Sequence, residues 1–195
     1  QLAGFITAIR ILGIRGCGVS MPHKIAVMKY LDRIDSMAEE IGAVNTIVNK
    51  NGRLTGYNTD YSGALRAIKE KYNVKGKRVL IVGAGGAARA IIAALQKLKA
   101  GKIYITNRHK EGARNLAKKF DLCYLPFKDK NRFKGDLLIN ATPMIITKNN
   151  LRHFEAVMDA VINPKKIYKK VIIPGRLVAY YQAVAQFKLY TGYEL

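Results

Sequence analysis

The fold of this chain is decided by the sequence Val79-Leu80-Ile81-Val82-Gly83-Ala84-Gly85-Gly86-Ala87-Ala88-Arg89-Ala90. Four apolar residues, three of them β-branched, lead into a glycine cluster, and the segment after it carries apolar residues at helical spacing. We therefore predict a buried strand, a tight turn and a helix. The N–H groups at the start of such a helix have no partner within the helix, so they can bind an anion where glycine leaves the approach open.

The glycine cluster has the spacing of a dinucleotide-binding fingerprint with alanine in its last small position, although a purely structural turn is the alternative. The next apolar run, Ile103 to Thr106, is predicted to be the second strand of a βαβ unit. Asn107, Arg108 and Lys110 follow it, about 24 residues after Gly83, where a dinucleotide site meets the adenosine ribose. Arg108, backed by Lys110, suits the 2′-phosphate of NADP, whereas NAD sites favour an acidic residue. Both could instead be ordinary solvated charges.

The composition is that of a folded chain with a substantial core. The 195 residues are 49% hydrophobic and 24% charged, which is enough for one large or two small domains. No apolar run approaches the roughly 20 residues that span a bilayer. Cys17 and Cys123 form no spaced pair and no metal pattern, so we expect a cytoplasmic protein without a metal site or a membrane partner. Because the chain begins at Gln1, we expect a fragment, or the ordered portions, of a longer chain.

The net charge of +21 is the feature that could indicate another class of function. Such an excess attracts nucleic acid or anionic surfaces without specific contacts. The basic residues are nevertheless spread along the chain, and the densest runs, at residues 128–134 and 165–170, are short and interrupted. Neither a zinc spacing nor an RNA-binding aromatic motif is present. We interpret the charge as a solvated surface that gathers anionic ligands, with nucleic-acid binding as the minor alternative.

Periodicity and turn chemistry predict further elements along the chain. They are a helix from Phe5 to Leu12, a strand or loop from Gly16 to Ser20, a helix that begins near Pro22, a helix capped by Ser36 that ends at Gly42, a hairpin with the turn Asn51-Gly52, a helix capped by Asp60, a helix from Glu111 to Phe120, a strand from Asp136 to Asn140, a helix from Arg152 to Met158, strands at Ala160–Ile162 and Val171–Ile173, and a last helix after Gly175. Spacing alone makes Lys24 a solvated lysine of a first helical turn and Asp60 a helix cap.

Several stretches, taken together and in order, resemble the shikimate dehydrogenase family, including its shikimate dehydrogenase-like and quinate/shikimate branches. The matching stretches are Val19-Ser20-Met21-Pro22-His23-Lys24, Ile41-Gly42-Ala43-Val44-Asn45-Thr46, Gly56-Tyr57-Asn58-Thr59-Asp60, the loop from Gly83 to Arg89, Asn107-Arg108, Ile139-Asn140-Ala141-Thr142-Pro143, Tyr181-Gln182-Ala183 before Phe187, and Thr191-Gly192. They cover nearly the whole chain, so a coincidence of weak motifs does not account for them.

The resemblance implies an NADP-dependent oxidoreductase of chorismate and aromatic amino-acid biosynthesis that interconverts 3-dehydroshikimate and shikimate. It implies that Lys24 is the catalytic acid and base, that Asp60 orients it, and that Ser20, Asn45 and Gln182 bind substrate. Such side chains suit a polyhydroxylated cyclic carboxylic acid, because a substrate lacking a hydroxyl would leave a buried polar group unpaired. NADP, or alternatively NAD, is expected to bind at Gly83, Ala84, Gly85, Gly86, Ala87, Asn107, Arg108, Lys110, Ala141, Thr142 and Gly175.

The resemblance also implies an α/β protein of two domains. We expect a Rossmann-type dinucleotide-binding domain over residues 75–174. A smaller α/β substrate domain is expected over residues 1–74, N-terminally incomplete and completed by the C-terminal helix 175–195. The chain is expected to act as a monomer or a homodimer. Two alternative functions stay open: a quinate/shikimate dehydrogenase-like enzyme with weak shikimate activity, and a non-catalytic NADP-binding regulatory protein.

Some positions depart from the family pattern. The family's N-terminal Ser-x-Ser motif, which holds the substrate carboxylate, has no counterpart here. The usual Gly-Met continuation is absent after Met144, a substrate-contacting tyrosine is missing near Ile162, and Leu177 stands about where a methionine is usual. The version Gly16-Cys17-Gly18-Val19-Ser20 leans towards the dehydrogenase-like branch. These departures leave the choice between shikimate and quinate open.

Overall fold

The computed structural model describes residues 1–162 and 168–195. Within them the chain forms a four-stranded sheet from its first third and a six-stranded sheet from the remainder. The basic run at residues 165–170 lies partly outside the described residues. Across the two described ranges, no helix is both long and apolar enough to cross a membrane.

The first sheet is built around the predicted hairpin. Its strands are β1 (Gly16–Gly18), β2 (Arg33–Ile34), β3 (Thr46–Lys50) and β4 (Arg53–Tyr57). Their order is β1-β3-β4-β2, and only the β2–β4 pair is parallel. The hairpin prediction is confirmed, because Asn51 and Gly52 at its turn both have positive φ, 53° and 81°. Helix α1 (Leu2–Ile11), also predicted, packs Ile6 and Ile9 into the core of this sheet.

The segment that carries Lys24 does not begin an α-helix as the sequence predicted. Residues 21–25 form turns that lead into a five-residue 3-10 helix, Ala26–Tyr30. Leu31 is already extended, with ψ of 148°. Ser20 and Pro22 favour a helix start locally, but the chain must become extended again almost at once to form β2, so a full α-helix does not fit.

The helices α2 (Ser36–Ile41) and α3 (Thr59–Lys71) are present, but their predicted caps are wrong by one or two residues. Asp35, rather than Ser36, accepts the N–H of Met37. Asn58, rather than Asp60, accepts the N–H of Tyr61. The cap is the residue that still has extended backbone, which sequence alone does not locate within a run of polar residues. The carboxylate of Asp60 therefore does not cap α3.

The second sheet confirms the predicted Rossmann-type architecture. Its strands are β5 (Val79–Val82), β6 (Ile103–Thr106), β7 (Cys123–Tyr124), β8 (Leu137–Asn140), β9 (Ala156–Asp159) and β10 (Val171–Pro174). All pairs are parallel, in the order β10-β9-β8-β5-β6-β7. Ligands of such sheets bind at the carboxyl edge where the order reverses, here between β5 and β8. Helices α4 (Gly86–Lys97) and α5 (Lys110–Phe120) cover one face.

Two predictions in the last quarter of the chain are wrong. The segment predicted as a helix from Arg152 to Met158 contains no helix: a short helix α6 (Lys148–Leu151) ends just before it, and the strand β9 begins at Ala156. The strand predicted at Ala160–Ile162 lies after β9 has ended. All four residues of β9 are buried, between β8 and β10, so they lack the alternation that marks a half-exposed strand.

The last helix, α7 (Gly175–Thr191), returns to the first sheet. It packs along α3 and also contacts β3, while α3 packs against α4 on its other side. The two sheets are thus joined through α3 and α7, and side chains from both ends of the sequence meet near the start of α3.

Candidate active site

Lys24 and Asp60 meet in a short ion pair. The Nζ of Lys24 donates to Oδ2 of Asp60 at 2.5 Å, and the two side chains are 16% and 18% exposed. The carbonyl of Lys24 accepts the N–H of Val44 at 2.8 Å, which anchors the turn that carries the lysine. Asp60 is the second residue of α3, where the positive end of the helix dipole stabilises a carboxylate. Both groups are held on fixed backbone and remain partly open to a ligand.

The second oxygen of Asp60 is held by Asn45, whose side chain is 3% exposed. Nδ2 of Asn45 donates to Oδ1 of Asp60 at 2.9 Å and to Oγ1 of Thr59 at 3.0 Å. Oδ1 of Asn45 accepts the N–H of Thr59 at 2.7 Å and the hydroxyl of Thr46 at 2.9 Å. A backbone N–H can only donate, so it fixes which amide atom is the oxygen. Asn45 has filled its hydrogen-bonding positions.

The stem of Lys24 lies against the start of the dinucleotide helix. A Cβ added at Gly86 would stand 3.2 Å from Cδ and 3.4 Å from Cβ of Lys24. Because the first distance is tighter than an ordinary contact, a larger residue at position 86 would push against the stem of the lysine. The structure thus brings the Lys24–Asp60 pair and the glycine turn, which belong to different sheets, to one place.

The glycine turn itself has the open geometry that the sequence predicted. Gly83 has φ of 119°. A Cβ at this position would stand 2.9 Å from the carbonyl oxygen of Ala141 and 2.9 Å from Cγ2 of Thr142. Gly85 precedes α4, and in the described part of the chain no side chain caps this helix or lies within 4 Å of a Cβ added at Gly85. The first N–H groups of α4, at Gly86 and Ala87, are free to bind an anion such as a pyrophosphate.

The loop after β8 is held by a second buried asparagine. Asn140, 4% exposed, donates from Nδ2 to Oδ1 of Asp159 at 3.0 Å and to the carbonyl of Met144 at 2.9 Å. Its Oδ1 accepts the hydroxyl of Thr142 at 2.7 Å. These bonds fix the loop that carries Ala141 and Thr142 against Gly83. Burial raises the pKa of Asp159, whose carboxylate also accepts the N–H of Val161.

The remaining predicted site residues lie around this centre without direct bonds to it. Ser20 is exposed, and its hydroxyl lies 3.5 Å from the carbonyl of Met21. Gln182 lies on α7 against Gly63 of α3, where its Cβ stands 3.0 Å from a Cβ added at that glycine. Arg108 and Lys110 are exposed beyond the end of β6. Three other predicted cofactor residues contact nearby elements. Ala84 and Asn107 lie near Gly112 of α5, and Gly175 lies against the backbone of Val161.

Three members of the hydrogen-bond network are not predicted by the sequence. Thr46 and Thr59 lie within the matching motifs, but nothing in their spacing indicated that their hydroxyls face each other at 3.0 Å. Gln186 was not singled out at all. Its Nε2 donates to Oγ1 of Thr46 at 2.9 Å, a contact between residues 140 positions apart. The only available signal was that Gln186 follows Gln182 by one helical turn.

Comparison with known proteins agrees with this geometry. A family model described as the shikimate dehydrogenase substrate binding domain matches residues 1–47, and one described as shikimate / quinate 5-dehydrogenase matches residues 65–174. The chain belongs to the shikimate dehydrogenase family. The resemblance inferred from the motifs is confirmed, and with it membership in a family of NADP-dependent oxidoreductases.

Three relatives illustrate the range of the family. The shikimate dehydrogenase (NADP(+)) of Methanocaldococcus jannaschii is 40% identical over 97% of this chain and 76% of its own length. A crystal structure of shikimate 5-dehydrogenase from Thermus thermophilus in complex with NADP(H) and shikimate has a TM-score of 0.85 and 30% identity, covering 99% of this chain and 78% of that one. Quinate dehydrogenase from Corynebacterium glutamicum in complex with NAD has a TM-score of 0.86 and 29% identity, covering 100% and 78%.

Proposed function

We propose that this protein is an NADP-dependent oxidoreductase that interconverts shikimate and 3-dehydroshikimate. The observation that supports it most directly is the Lys24–Asp60 pair, which is partly open and lies beside the start of the glycine-turn helix. An alcohol oxidation needs a proton acceptor next to the carbon that loses hydride. The Lys24–Asp60 pair lies near the start of α4, can exchange a proton and is held in one orientation.

In the proposed mechanism, Lys24 takes the proton of the substrate hydroxyl during oxidation and returns it during ketone reduction. NADP+, when bound, supplies the nicotinamide ring that receives the hydride. Asp60 holds the amine of Lys24 through Oδ2, which fixes the position from which the amine accepts or donates the proton. Asn45 holds the other oxygen of Asp60, so the carboxylate cannot rotate away from the lysine.

The cofactor is proposed to lie across the carboxyl edge of the second sheet. The free N–H groups at Gly86 and Ala87 fit a pyrophosphate, and the loop of Ala141 and Thr142 borders the same turn. Arg108 carries a charge that suits a 2′-phosphate, and this favours NADP over NAD. In this proposal residues 75–174 bind the dinucleotide, and residues 1–74 with α7 bind the substrate.

The substrate is proposed to be a small cyclic polyol acid. Ser20 and Gln182 keep polar atoms without strong hydrogen bonds among the described residues, so they are available for hydroxyl groups. Asn45 differs from them, because a substrate contact would have to replace one of its existing bonds. Its main contribution is therefore to Asp60. Quinate is the second candidate, supported by the quinate dehydrogenase among the structural relatives.

The test is steady-state turnover of shikimate and of quinate with NADP+ and with NAD+, followed by the absorbance of the reduced cofactor. Lys24→Met should lower kcat with the preferred substrate by about 100- to 10,000-fold, the usual contribution of general acid–base catalysis. Lys29→Met removes the same charge from an exposed position in the adjoining 3-10 helix and should leave kcat unchanged.

Three outcomes separate the hypotheses. Loss of turnover in Lys24→Met alone supports the proposal. Turnover of quinate but not of shikimate contradicts shikimate as the substrate and supports quinate, with the same proton-transfer roles for Lys24 and Asp60. Tight binding of NADP+ without turnover of either substrate by the wild-type protein contradicts the proposal and supports a regulatory NADP-binding protein.

A further inference from the structure

We infer that Gln186 of α7 is a positioning residue for the Lys24–Asp60 pair, acting through Thr46 and Asn45. This inference rests on the proposed function for its catalytic meaning. The contacts form a continuous chain: Nε2 of Gln186 to Oγ1 of Thr46 at 2.9 Å, Oγ1 of Thr46 to Oδ1 of Asn45 at 2.9 Å, Nδ2 of Asn45 to Oδ1 of Asp60 at 2.9 Å, and Nζ of Lys24 to Oδ2 of Asp60 at 2.5 Å.

The chemistry of the donors fixes the direction of each hydrogen bond in this series of contacts. The amide nitrogen of Gln186 can only donate, so Oγ1 of Thr46 receives a hydrogen from it. The single hydrogen of the Thr46 hydroxyl is then free to point to Oδ1 of Asn45. That bond, together with the N–H of Thr59, keeps the amide oxygen of Asn45 away from Asp60 and its nitrogen towards it. Gln186 thus favours the amide orientation in which Asp60 is held.

Removing the Gln186 donor favours a competing arrangement, because it leaves an acceptor position of Oγ1 of Thr46 unfilled. Oγ1 of Thr46 lies 3.0 Å from Oγ1 of Thr59, and either hydroxyl could donate to the other. The hydroxyl of Thr59, which can donate to Oδ1 of Asn45 at 3.2 Å, would be drawn to Thr46 instead, and Oδ1 of Asn45 would lose one of its three hydrogen bonds. Buried hydrogen-bond networks with a single satisfied arrangement are stiffer than those with two. Asp60 would then be held less firmly by Asn45, and Lys24 less firmly by Asp60.

Gln186 lies where α7 approaches the first sheet. Its Nε2 also lies 3.4 Å from the carbonyl of Asn45 and 3.5 Å from a Cβ added at Gly18 of β1. The side chain therefore reaches between β1 and β3 to the point where the polar network begins. Gln182, one turn earlier on the same helix, lies against α3. Gln182, the proposed substrate residue, and Gln186, the positioning residue, thus lie on one face of α7.

Two substitutions of Gln186 separate the effect of its hydrogen-bond donor from the effect of its packing. Gln186→Met keeps the approximate volume and removes the donor. Gln186→Glu keeps the shape, but an ionised carboxylate accepts the Thr46 hydrogen instead of supplying one, which takes that hydrogen from Asn45. The matched control is Gln96→Met, because Nε2 of Gln96 donates to the carbonyl of Phe120 at 2.7 Å in the second sheet's helices, remote from Asp60.

The experiment measures kcat for shikimate oxidation, the melting temperature, and the rate at which Lys24 is acetylated at one fixed pH, followed by peptide mass spectrometry. Both Gln186 variants should lower kcat by about three- to tenfold, since a net hydrogen bond corresponds to roughly that factor. They should also acetylate Lys24 about threefold faster, because an amine held less firmly by Asp60 is more often out of the ion pair and open to the reagent. Gln96→Met should lower the melting temperature by a similar amount and change neither kcat nor acetylation.

The outcomes keep the two proposals apart. Unchanged kcat and unchanged Lys24 acetylation in both Gln186 variants, with an active wild-type enzyme, overturn the positioning role and leave the proposed function standing. Faster acetylation of Lys24 in a wild-type background that turns over neither substrate supports the positioning contacts and contradicts the proposed function. Equal effects from Gln96→Met would reduce Gln186 to a structural residue and also overturn the inference.

Discussion

Two buried asparagines, Asn45 and Asn140, organise the two sides of the candidate site in similar ways and with different consequences. Each lies at or beside a strand end, each bonds to a threonine hydroxyl, and each donates to an aspartate. Asp60, the partner of Asn45, also holds an amine. Asp159, the partner of Asn140, has no ion-pair partner within residues 1–162 and 168–195 and is only 5% exposed.

The difference shows how one local design can serve either chemistry or shape. At Asn45 the aspartate is partly open and carries a charged partner that can exchange a proton. At Asn140 the aspartate is enclosed, and its bonds serve only to hold the loop of Ala141 and Thr142 against Gly83. Burial raises the pKa of Asp159, and the hydrogen bonds from Val161 and Asn140 offset only part of this effect. We therefore expect a carboxylate next to an amide to act as a functional group here only where a cation and a route for a ligand are also present.

The sharpest test of this comparison is the same substitution at the two aspartates. Asp60→Asn should lower kcat for shikimate oxidation by about 100-fold or more, because the amide has no charge to hold the ammonium of Lys24. Asp159→Asn should leave kcat within about twofold of wild type. Steady-state kinetics with saturating NADP+ measures both, and similar losses in the two variants would show that the two asparagine networks do not differ in role.

A smaller effect is expected at the cofactor end of the second sheet. Arg108→Ala should raise the KM for NADP+ by about tenfold or more and leave the KM for NAD+ nearly unchanged, because one charge-assisted hydrogen bond to the 2′-phosphate is lost. The KM for shikimate should not change. Arg114→Ala, which removes the same charge from within α5, is the control. Equal losses of NADP+ and NAD+ affinity would remove the 2′-phosphate from the proposal.

The smallest effect concerns stability. Because burial raises the pKa of Asp159 in the folded protein, the ionised carboxylate costs stability above that pKa, and the cost disappears as the pH falls and both states become protonated. Asn at this position can accept the same bonds from Asn140 and Val161. Asp159→Asn should therefore raise the free energy of unfolding by about 1 kcal/mol or less near neutral pH. Urea unfolding at about pH 7 and about pH 4 measures it, and a gain that grows at the lower pH would contradict this assignment.

Much of the fold could be predicted from local sequence. The glycine turn, the hairpin at Asn51-Gly52 and the helices α1, α5 and α7 were found because their residues have strong backbone preferences or a clear period. The strand β9 was missed, because a strand buried on both faces has no alternation. The helix caps were missed because Asp35, Ser36, Asn58 and Asp60 are all acceptable caps by residue type, and only the backbone conformation chooses among them.

The candidate site divides in the same way. Lys24, Asn45 and Asp60 were found through motifs, yet spacing alone made Lys24 a solvated residue and Asp60 a cap. Their hydrogen bonds depend on how the turn at residues 21–25 packs against the loop before β3. Gln186 was beyond the reach of sequence reasoning, since its partner Thr46 is 140 residues away. A pattern over a few residues carries no information on such a contact.

The sequence by itself determined the glycine turn, the parallel-sheet half of the fold and the residue types available for proton exchange, because these follow from backbone preferences and side-chain chemistry within a few residues. Only the tertiary structure decided that Lys24 lies against Gly86, that Asp60 is held on both oxygens, and that α7 returns to supply Gln186. Those contacts join distant segments, so they form only when the packing of both sheets against α3 and α7 offsets the entropy of closing long loops.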